Sequence, residues 1–258
     1  MSKLWTFGDS FTAEYYPVGM WNWPSNYDKY KEWRGGDLPN VWSTLLGEKL
    51  GYDVMNMAIG GDSNYGIFNQ FLNVCDKIKK DDIVIFGWAN MSRFQVVNFD
   101  DGIFNQIVPC DNDFSHIGIS KTTSDEIFYN RTHPLWATEV HSWIRFINLY
   151  LQTIGAKPYH WTSDIRLFDC YSTYVEDDKF IVVKLEHLYH HTIMAYLALP
   201  MHYEGNRMVA TIDSETNGVV RDGHFGEFGH KCQAEYFYKH IMGLISDDEH
   251  KEFIKTTK

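Results

Sequence analysis

Apolar and polar residues alternate along the first 90 positions in a pattern that predicts an ordered series of strands and helices. Short apolar runs predict strands at 3–7, 52–58 and 82–86, and each run ends in a turn that contains glycine. Apolar residues at helical spacing predict helices over 42–50 and 65–78, between these strands. Strands that alternate with helices in this way are typical of a parallel α/β sheet, in which ligands bind at the carboxyl ends of the strands.

The rest of the chain continues this pattern with less regular stretches between the elements. A polar region at 95–135 is interpreted as an insertion that contains a hairpin around Asp100–Gly102. The remaining predicted elements are a helix over 136–154, a fourth parallel strand over 157–162, a strand over 180–183, and helices over 185–199 and 227–245. The chain has no internal repeat and no linker-like segment, so residues 1–258 are predicted to form one domain.

Charge and apolar content exclude several classes of partner. The 258 residues include 23 Lys and Arg against 34 Asp and Glu, which gives a formal net charge of −11. A chain of this charge is not expected to bind duplex nucleic acid or an anionic membrane, since both attract surfaces rich in Lys and Arg. A helix that spans a bilayer needs an apolar run of about 18 residues, and no run in this sequence is that long, so no membrane helix is predicted.

Two features of the sequence concern the compartment. The first residues lack the apolar core of a secretory signal, so we expect the protein in the cytoplasm or in a phage particle assembled there. The four cysteines are Cys75, Cys110, Cys170 and Cys232, and they form no C-x-x-C pair. This spacing excludes a zinc ribbon or a disulfide scaffold and predicts free thiols.

The turn after the first predicted strand contains a candidate nucleophile, Ser10. A serine at a strand-to-helix turn exposes its hydroxyl at the carboxyl edge of the sheet, and it needs a base within hydrogen-bond reach. His224 is the candidate base, and Asp222 is the carboxylate that would fix its tautomer and stabilise the imidazolium. The backbone N–H groups of Ser10 and Gly61 and the side-chain amide of Asn90 are candidate donors to the oxyanion. This chemistry requires no metal and no cofactor.

Five motifs follow one another along the chain: Phe7-Gly8-Asp9-Ser10, the glycine after Asn56-Met57-Ala58, the turn from Gly87 to Asn90, Asp222-Gly223-His224, and Gly229-His230. Their order and spacing resemble those of the SGNH (GDSL-type) hydrolases. The resemblance implies a flavodoxin-like three-layer α/β/α sandwich with a central parallel sheet. It also implies ester hydrolysis through a covalent acyl-enzyme on Ser10.

Two positions depart from the pattern of that family. The third turn of the family usually reads Gly-x-Asn-Asp, whereas this chain has Ala89 in the asparagine position. Either Asn90 supplies the donor after a local shift, or the donor is missing. The family also places an aspartate three residues before its histidine, and this chain has Arg221 there. Asp222 is expected to take over the carboxylate's role.

Three further polar residues lie near these motifs. Asp9 is expected to hold the nucleophile turn through hydrogen bonds to nearby backbone groups. Arg93 follows the third turn and either pairs with a carboxylate there or forms a surface salt bridge, the commoner arrangement. His230 is expected on the C-terminal helix, on the far side of the turn from the chemistry.

A dense aromatic segment directly follows the nucleophile turn. Seven Trp or Tyr residues lie within 15–33, whereas the chain's 25 in 258 would place about two there. Tyr15, Tyr16, Trp21 and Trp23 are the candidate substrate-binding residues, because flat rings with polar edges suit sugars and acyl groups. The alternative is a loop whose aromatic side chains are buried in the core.

The sequence therefore favours a serine esterase, an O-deacetylase or short-acyl esterase that acts on a glycan or small-molecule ester. A second hypothesis is a non-catalytic carbohydrate-binding or virion-associated structural module on the same fold, motivated by the two departures. A third is metal-dependent hydrolysis at His187, His190 and His191, whose order does not match the H-E-x-x-H pattern of zinc sites.

Overall fold

The structure is a computed structural model of the 258-residue chain. It describes residues 2–14, 40–89, 93–97, 104–107, 120, 122, 133–162, 210–212, 219–221 and 227–244. The strands in these ranges are β1 (Lys3–Gly8), β2 (Asp53–Asn56), β3 (Ile83–Trp88), β4 (Phe94–Val97), β5 (Phe104–Ile107), β6 (Lys157–Thr162), β7 (Ala210–Ile212) and β8 (Val219–Arg221). The helices are α1 (Trp42–Leu50), α2 (Asn64–Leu72), α3 (His133–Ile154) and α4 (Glu227–Ile241), with a 3-10 turn at Cys75–Lys77.

Four of these strands form a parallel sheet in the order β2-β1-β3-β6. The register places Gly8 beside Gly87 and Gly87 beside Trp161. The direction in which strands are added to the sheet changes at β1, because β2 lies on one side of β1 whereas β3 and β6 lie on the other. In sheets of this type the ligand crevice lies outside the carboxyl ends of the strands where the direction changes. Those strands are β1 and β3. The predicted parallel sheet is therefore confirmed, and a site is expected at the carboxyl ends of these two strands.

Helices cover both faces of this sheet. Trp5, Phe7 and Phe86 point to one face and pack with buried side chains of α2 and α3. Leu4 and Ile85 point to the other face, into a core that they share with α1 and α4. Because alternate residues of a strand face opposite sides, a strand buried on both sides is an almost continuous apolar run. The described residues therefore form the expected three-layer α/β/α sandwich.

Two predicted helices end earlier than their apolar spacing suggests. The helix predicted up to Ile78 ends at Leu72, and the 3-10 turn that follows still keeps Val74 and Ile78 buried. The spacing of buried positions therefore continues beyond the helix. The C-terminal helix ends at Ile241, because Gly243 adopts a left-handed conformation with φ 67° and stops it.

Outside the central sheet, the described residues include two antiparallel strand pairs. β4 pairs with β5 in antiparallel orientation, as expected for the predicted hairpin, whose tip at positions 100–102 lies outside the described residues. β7 pairs with β8, and this pair was not among the predicted elements. The strand predicted at 180–183 and the helix predicted at 185–199 lie outside the described residues. Within the described ranges, no helix combines the length and apolar character needed to cross a lipid bilayer.

Candidate active site

The nucleophile turn, residues 8–13, leaves the carboxyl end of β1 beside β3. The Thr12 N–H donates to the Asp9 carbonyl at 2.9 Å, and the Phe11 N–H donates to Asp9 Oδ1 at 3.0 Å. Asp9 therefore stabilises the turn through local hydrogen bonds, which confirms its predicted structural role. Ser10 is partly exposed on this turn.

Close packing at the strand ends depends on two glycines that are neighbours in the sheet. A Cβ added to Gly8 would lie 2.5 Å from Thr12 Oγ1, and one added to Gly87 would lie 2.6 Å from the same atom. The Thr12 side chain thus lies over the ends of both β1 and β3. Side chains at these two positions would push the nucleophile turn away from the sheet.

Arg93 binds the nucleophile turn rather than a surface carboxylate. Its Nη1 lies 2.8 Å from Asp9 Oδ2, and the two side chains are only 19% and 5% exposed. The expectation of a pairing carboxylate is thus met, but by a residue of the first turn, 84 positions earlier in the chain. A surface salt bridge, the commoner arrangement, is the wrong interpretation. The ion pair joins the segment after β3 to the turn after β1.

The second turn contains Gly61, the predicted second oxyanion donor. Gly61 adopts φ 82°, in the left-handed region that glycine enters without steric cost. The Asp62 N–H donates to the Ile59 carbonyl at 3.2 Å, and the Ile59 N–H donates to the Gly8 carbonyl at 3.1 Å. The turns that contain Ser10 and Gly61 are therefore in direct contact.

The third turn, 87–90, contains Ala89, whose side chain has no hydrogen-bond donor. The Ala89 side chain is fully buried in the core between the sheet and the α2–α3 layer. Its carbonyl accepts a hydrogen bond from Asn64 Nδ2 at 3.1 Å, and the neighbouring Trp88 carbonyl accepts one from Thr162 Oγ1 at 3.1 Å. Asn90, the expected third donor, lies outside the described residues.

Asp222 and His224 also lie outside the described residues, but the helix that follows them is described. α4 begins three residues after His224 and contains His230, as predicted. His230 Nδ1 accepts a hydrogen bond from the Trp42 N–H at 3.2 Å, and the Trp42 indole N–H donates to the Phe11 carbonyl at 3.1 Å. One tryptophan thus links α4 to the nucleophile turn.

A buried histidine near the carboxyl end of β3 is excluded as a general base. The Trp88 indole N–H donates to His160 Nδ1 at 3.0 Å, which leaves the Nε2–H to donate to Asn148 Oδ1 at 2.9 Å. Burial lowers the pKa of His160 to about 3. The ring is therefore neutral at pH 7, and both of its nitrogens are occupied within the core.

Several predicted residues are not among the described ones. They are the candidate substrate-binding residues Tyr15, Tyr16, Trp21 and Trp23 and the histidines His187, His190 and His191. Across the described part of the chain, no group of three or more His, Cys, Asp or Glu side chains is placed to hold a metal ion.

Two solved structures resemble this chain at low sequence identity. Protein YxiM of Bacillus subtilis is 13% identical with a TM-score of 0.48, and the match covers 94% of this chain and 57% of YxiM, little more than half its length. A protein of Desulfitobacterium hafniense DCB-2 assigned to the G-D-S-L lipolytic family is 14% identical with a TM-score of 0.44, over 93% of this chain and 99% of that one. No protein-family model and no curated protein matches the chain. The assignment of the fold as an α/β/α sandwich is therefore based on the strands and helices of this chain itself.

Proposed function

We propose that this protein is a serine ester hydrolase that forms a covalent acyl-enzyme on Ser10. The position of the nucleophile turn carries the proposal, because the turn leaves β1 where the sheet changes direction and contacts the turn of Gly61. A partly exposed serine beside backbone N–H groups of rigid turns is suited to acyl transfer. The resemblance to the SGNH motifs supports the same chemistry.

In the proposed reaction, Ser10 Oγ attacks the acyl carbon while His224 takes the hydroxyl proton and Asp222 holds the imidazole in the required tautomer. The tetrahedral oxyanion accepts hydrogen bonds from the Ser10 and Gly61 N–H groups and from the Asn90 amide. The ester C–O bond then breaks, and His224 gives the proton to the leaving alcohol. Water attacks the acyl-enzyme with His224 again as base, and the carboxylic acid leaves.

We further propose an O-acetyl or other short acyl group on a carbohydrate as the substrate. Tyr15, Tyr16, Trp21 and Trp23 follow the nucleophile turn in the chain, and such rings stack on sugars. The variant Trp21→Ala, Trp23→Ala is expected to raise KM for an O-acetylated oligosaccharide and to leave turnover of p-nitrophenyl acetate unchanged. An unchanged KM for the oligosaccharide would contradict the carbohydrate substrate.

The hydrolase proposal is tested by stopped-flow hydrolysis of p-nitrophenyl acetate. We expect a burst of about one p-nitrophenol per chain, followed by slower turnover, since the acyl-enzyme accumulates. Ser10→Ala is expected to abolish the burst and reduce kcat at least about 10³-fold. Ser142→Ala is the control, because this exposed hydroxyl donates only to its own helix, at Thr138. Wild-type protein that shows neither burst nor turnover would contradict the proposal.

One observation favours a second candidate, a non-catalytic carbohydrate-binding or virion-associated module. Ala89 stands where the family has a side-chain oxyanion donor, and its methyl group is buried. Binding on a glycan array by a protein whose Ser10 does not react with a fluorophosphonate would favour this candidate over the hydrolase.

A further inference from the structure

A buried glutamine joins the nucleophile turn to the turn that contains Gly61. Gln70 lies on α2 and is 6% exposed. Its Oε1 accepts a hydrogen bond from the Gly8 N–H at 3.1 Å, and its Nε2 donates to the Gly8 carbonyl, also at 3.1 Å. The same Nε2 donates to Asp62 Oδ2 at 2.7 Å. One side chain thus binds both backbone groups of Gly8, two residues before Ser10, and the carboxylate that follows Gly61.

The partner carboxylate, Asp62, is held from its other side as well. It is buried, and its Oδ1 accepts a hydrogen bond from the Ser63 N–H at 2.8 Å. A Cβ added to Gly66 would lie 1.7 Å from that Oδ1, so α2 leaves room for the carboxylate because position 66 has no side chain. Neither Gln70 nor Asp62 takes part in the reaction steps proposed above.

We propose that Gln70 is a positioning residue that sets the separation of the Ser10 and Gly61 N–H groups in the oxyanion hole, an inference that rests on the proposed function. Two donors stabilise an oxyanion only if each lies about 2.7–3.1 Å from it. A displacement of about 1 Å reduces turnover about 10²-fold. Loss of the Gln70 amide leaves the two turns more weakly joined, so the donors no longer converge on one point.

Steady-state hydrolysis of p-nitrophenyl acetate by folded variants tests this role. Gln70→Met keeps the length of the side chain and removes its hydrogen bonds. We expect kcat to fall about 10- to 100-fold, with KM within about threefold of wild type. The control is Asp82→Asn, at the opposite end of the sheet, where a buried carboxylate accepts from the Lys3 N–H and the Trp5 indole. It is expected to lower Tm without changing kcat by more than about twofold.

A pair of exchanges tests the hydrogen bond between Gln70 and Asp62. Gln70→Glu removes the donor to both acceptors and places a carboxyl oxygen against Asp62 and against the Gly8 carbonyl, so the loss of kcat is expected to equal or exceed that of Gln70→Met. Adding Asp62→Asn restores a donor between the two side chains but not the donor to the Gly8 carbonyl, so kcat is expected to recover in part, by about three- to tenfold. A glutamine that only stabilised the fold would change Tm and would show no such recovery in kcat.

The outcomes separate this inference from the function on which it rests. A Gln70→Met variant with kcat within about twofold of wild type would overturn the inference and leave the hydrolase proposal intact. If Gln70→Met does not fold, a loss in Gln70→Glu that Asp62→Asn fails to recover overturns it instead. A wild-type chain without Ser10-dependent turnover overturns the proposed function, and this inference with it.

Discussion

The two ends of the central sheet use the same kind of bond for different purposes. At the amino end, the buried Asp82 carboxylate accepts hydrogen bonds from the Lys3 N–H at 2.8 Å and from the Trp5 indole N–H at 2.9 Å. At the carboxyl end, Asp9 and Asp62 are also buried and also accept from backbone N–H groups. The chemistry is shared, so the difference lies in what each carboxylate holds.

Asp82 joins β1 to the segment before β3 and therefore holds two strands together. Asp9 and Asp62 hold turns, and each has a second partner, Arg93 or Gln70, that reaches it from another element. A turn that is held from two sides keeps its backbone N–H groups in one direction, which an oxyanion hole requires. The amino end thus holds strands together, whereas the carboxyl end holds the turns that contain the proposed oxyanion donors.

The largest loss of stability is expected at the amino end. Asp82→Asn replaces one carboxylate oxygen by an NH₂ group that faces N–H donors, so the free energy of unfolding should fall by about 2–4 kcal/mol. Urea unfolding measures this loss. The kcat for p-nitrophenyl acetate should stay at the wild-type value, and a large loss of kcat would break the proposed division between the two ends.

Gly66→Ala should affect both stability and turnover. The new methyl group would displace the Asp62 carboxylate, and we expect a loss of about 1–3 kcal/mol and at least about tenfold in kcat. Gly51→Ala is the matched control, because φ is 68° there but no atom lies within 4 Å of the added Cβ. It should cost about 1 kcal/mol and leave kcat unchanged. Equal effects on kcat from both variants would contradict the role of Asp62.

The pH dependence of stability should report the buried histidine near the carboxyl end. The folded state holds the pKa of His160 at about 3, whereas the unfolded chain takes up the proton near the ordinary value of 6.5. Its contribution is therefore complete above about pH 6.5 and is lost as pH falls towards 3, by about 1.4 kcal/mol per unit. Between pH 7 and 5, urea unfolding should show about 2 kcal/mol more loss for wild type than for His160→Gln. Identical pH profiles would contradict the buried neutral ring.

The smallest effects on stability are expected from breaking ion pairs, and they should differ between a buried pair and an exposed one. Arg93→Met leaves the buried Asp9 carboxylate without its cation, and we expect a loss of about 1–2 kcal/mol and about tenfold in kcat. Lys49→Met breaks the pair with Glu235, whose side chains are 41% and 44% exposed, and should cost at most about 0.5 kcal/mol without changing kcat. Indistinguishable kcat values for the two variants would show that Arg93 does not position the nucleophile turn.

Three strands of the sheet could be predicted because they are buried along almost their whole length, on both faces. Runs at 3–7, 82–86 and 157–162 correspond to β1, β3 and β6, and glycine turns mark where the first two end. The end of α2 could not be predicted in the same way. The spacing of apolar residues records which side chains are buried, and Val74 and Ile78 remain buried beyond the helix.

Contacts at the candidate site could be predicted from the sequence when the two partners are close along the chain, and could not when they are far apart. The role of Asp9 was predictable because its backbone partner, Phe11, is two residues away. The partner of Arg93 is 84 residues away, so no local pattern identifies it. Gln70 was missed although a signal exists, because a polar residue between Ile67 and Phe71 on the buried face of α2 must find hydrogen-bond partners. Which partners it finds depends on the tertiary fold.

Labelling with a fluorophosphonate, followed by peptide mapping, tests most directly whether the carboxyl end of the sheet is a catalytic site. A serine becomes reactive to this probe only when a base and oxyanion donors activate it. We predict about one adduct per chain, located on Ser10, absent in Ser10→Ala, and formed at least about 10²-fold more slowly in His224→Gln. A chain that remains unlabelled, or an adduct at another residue, would contradict the account.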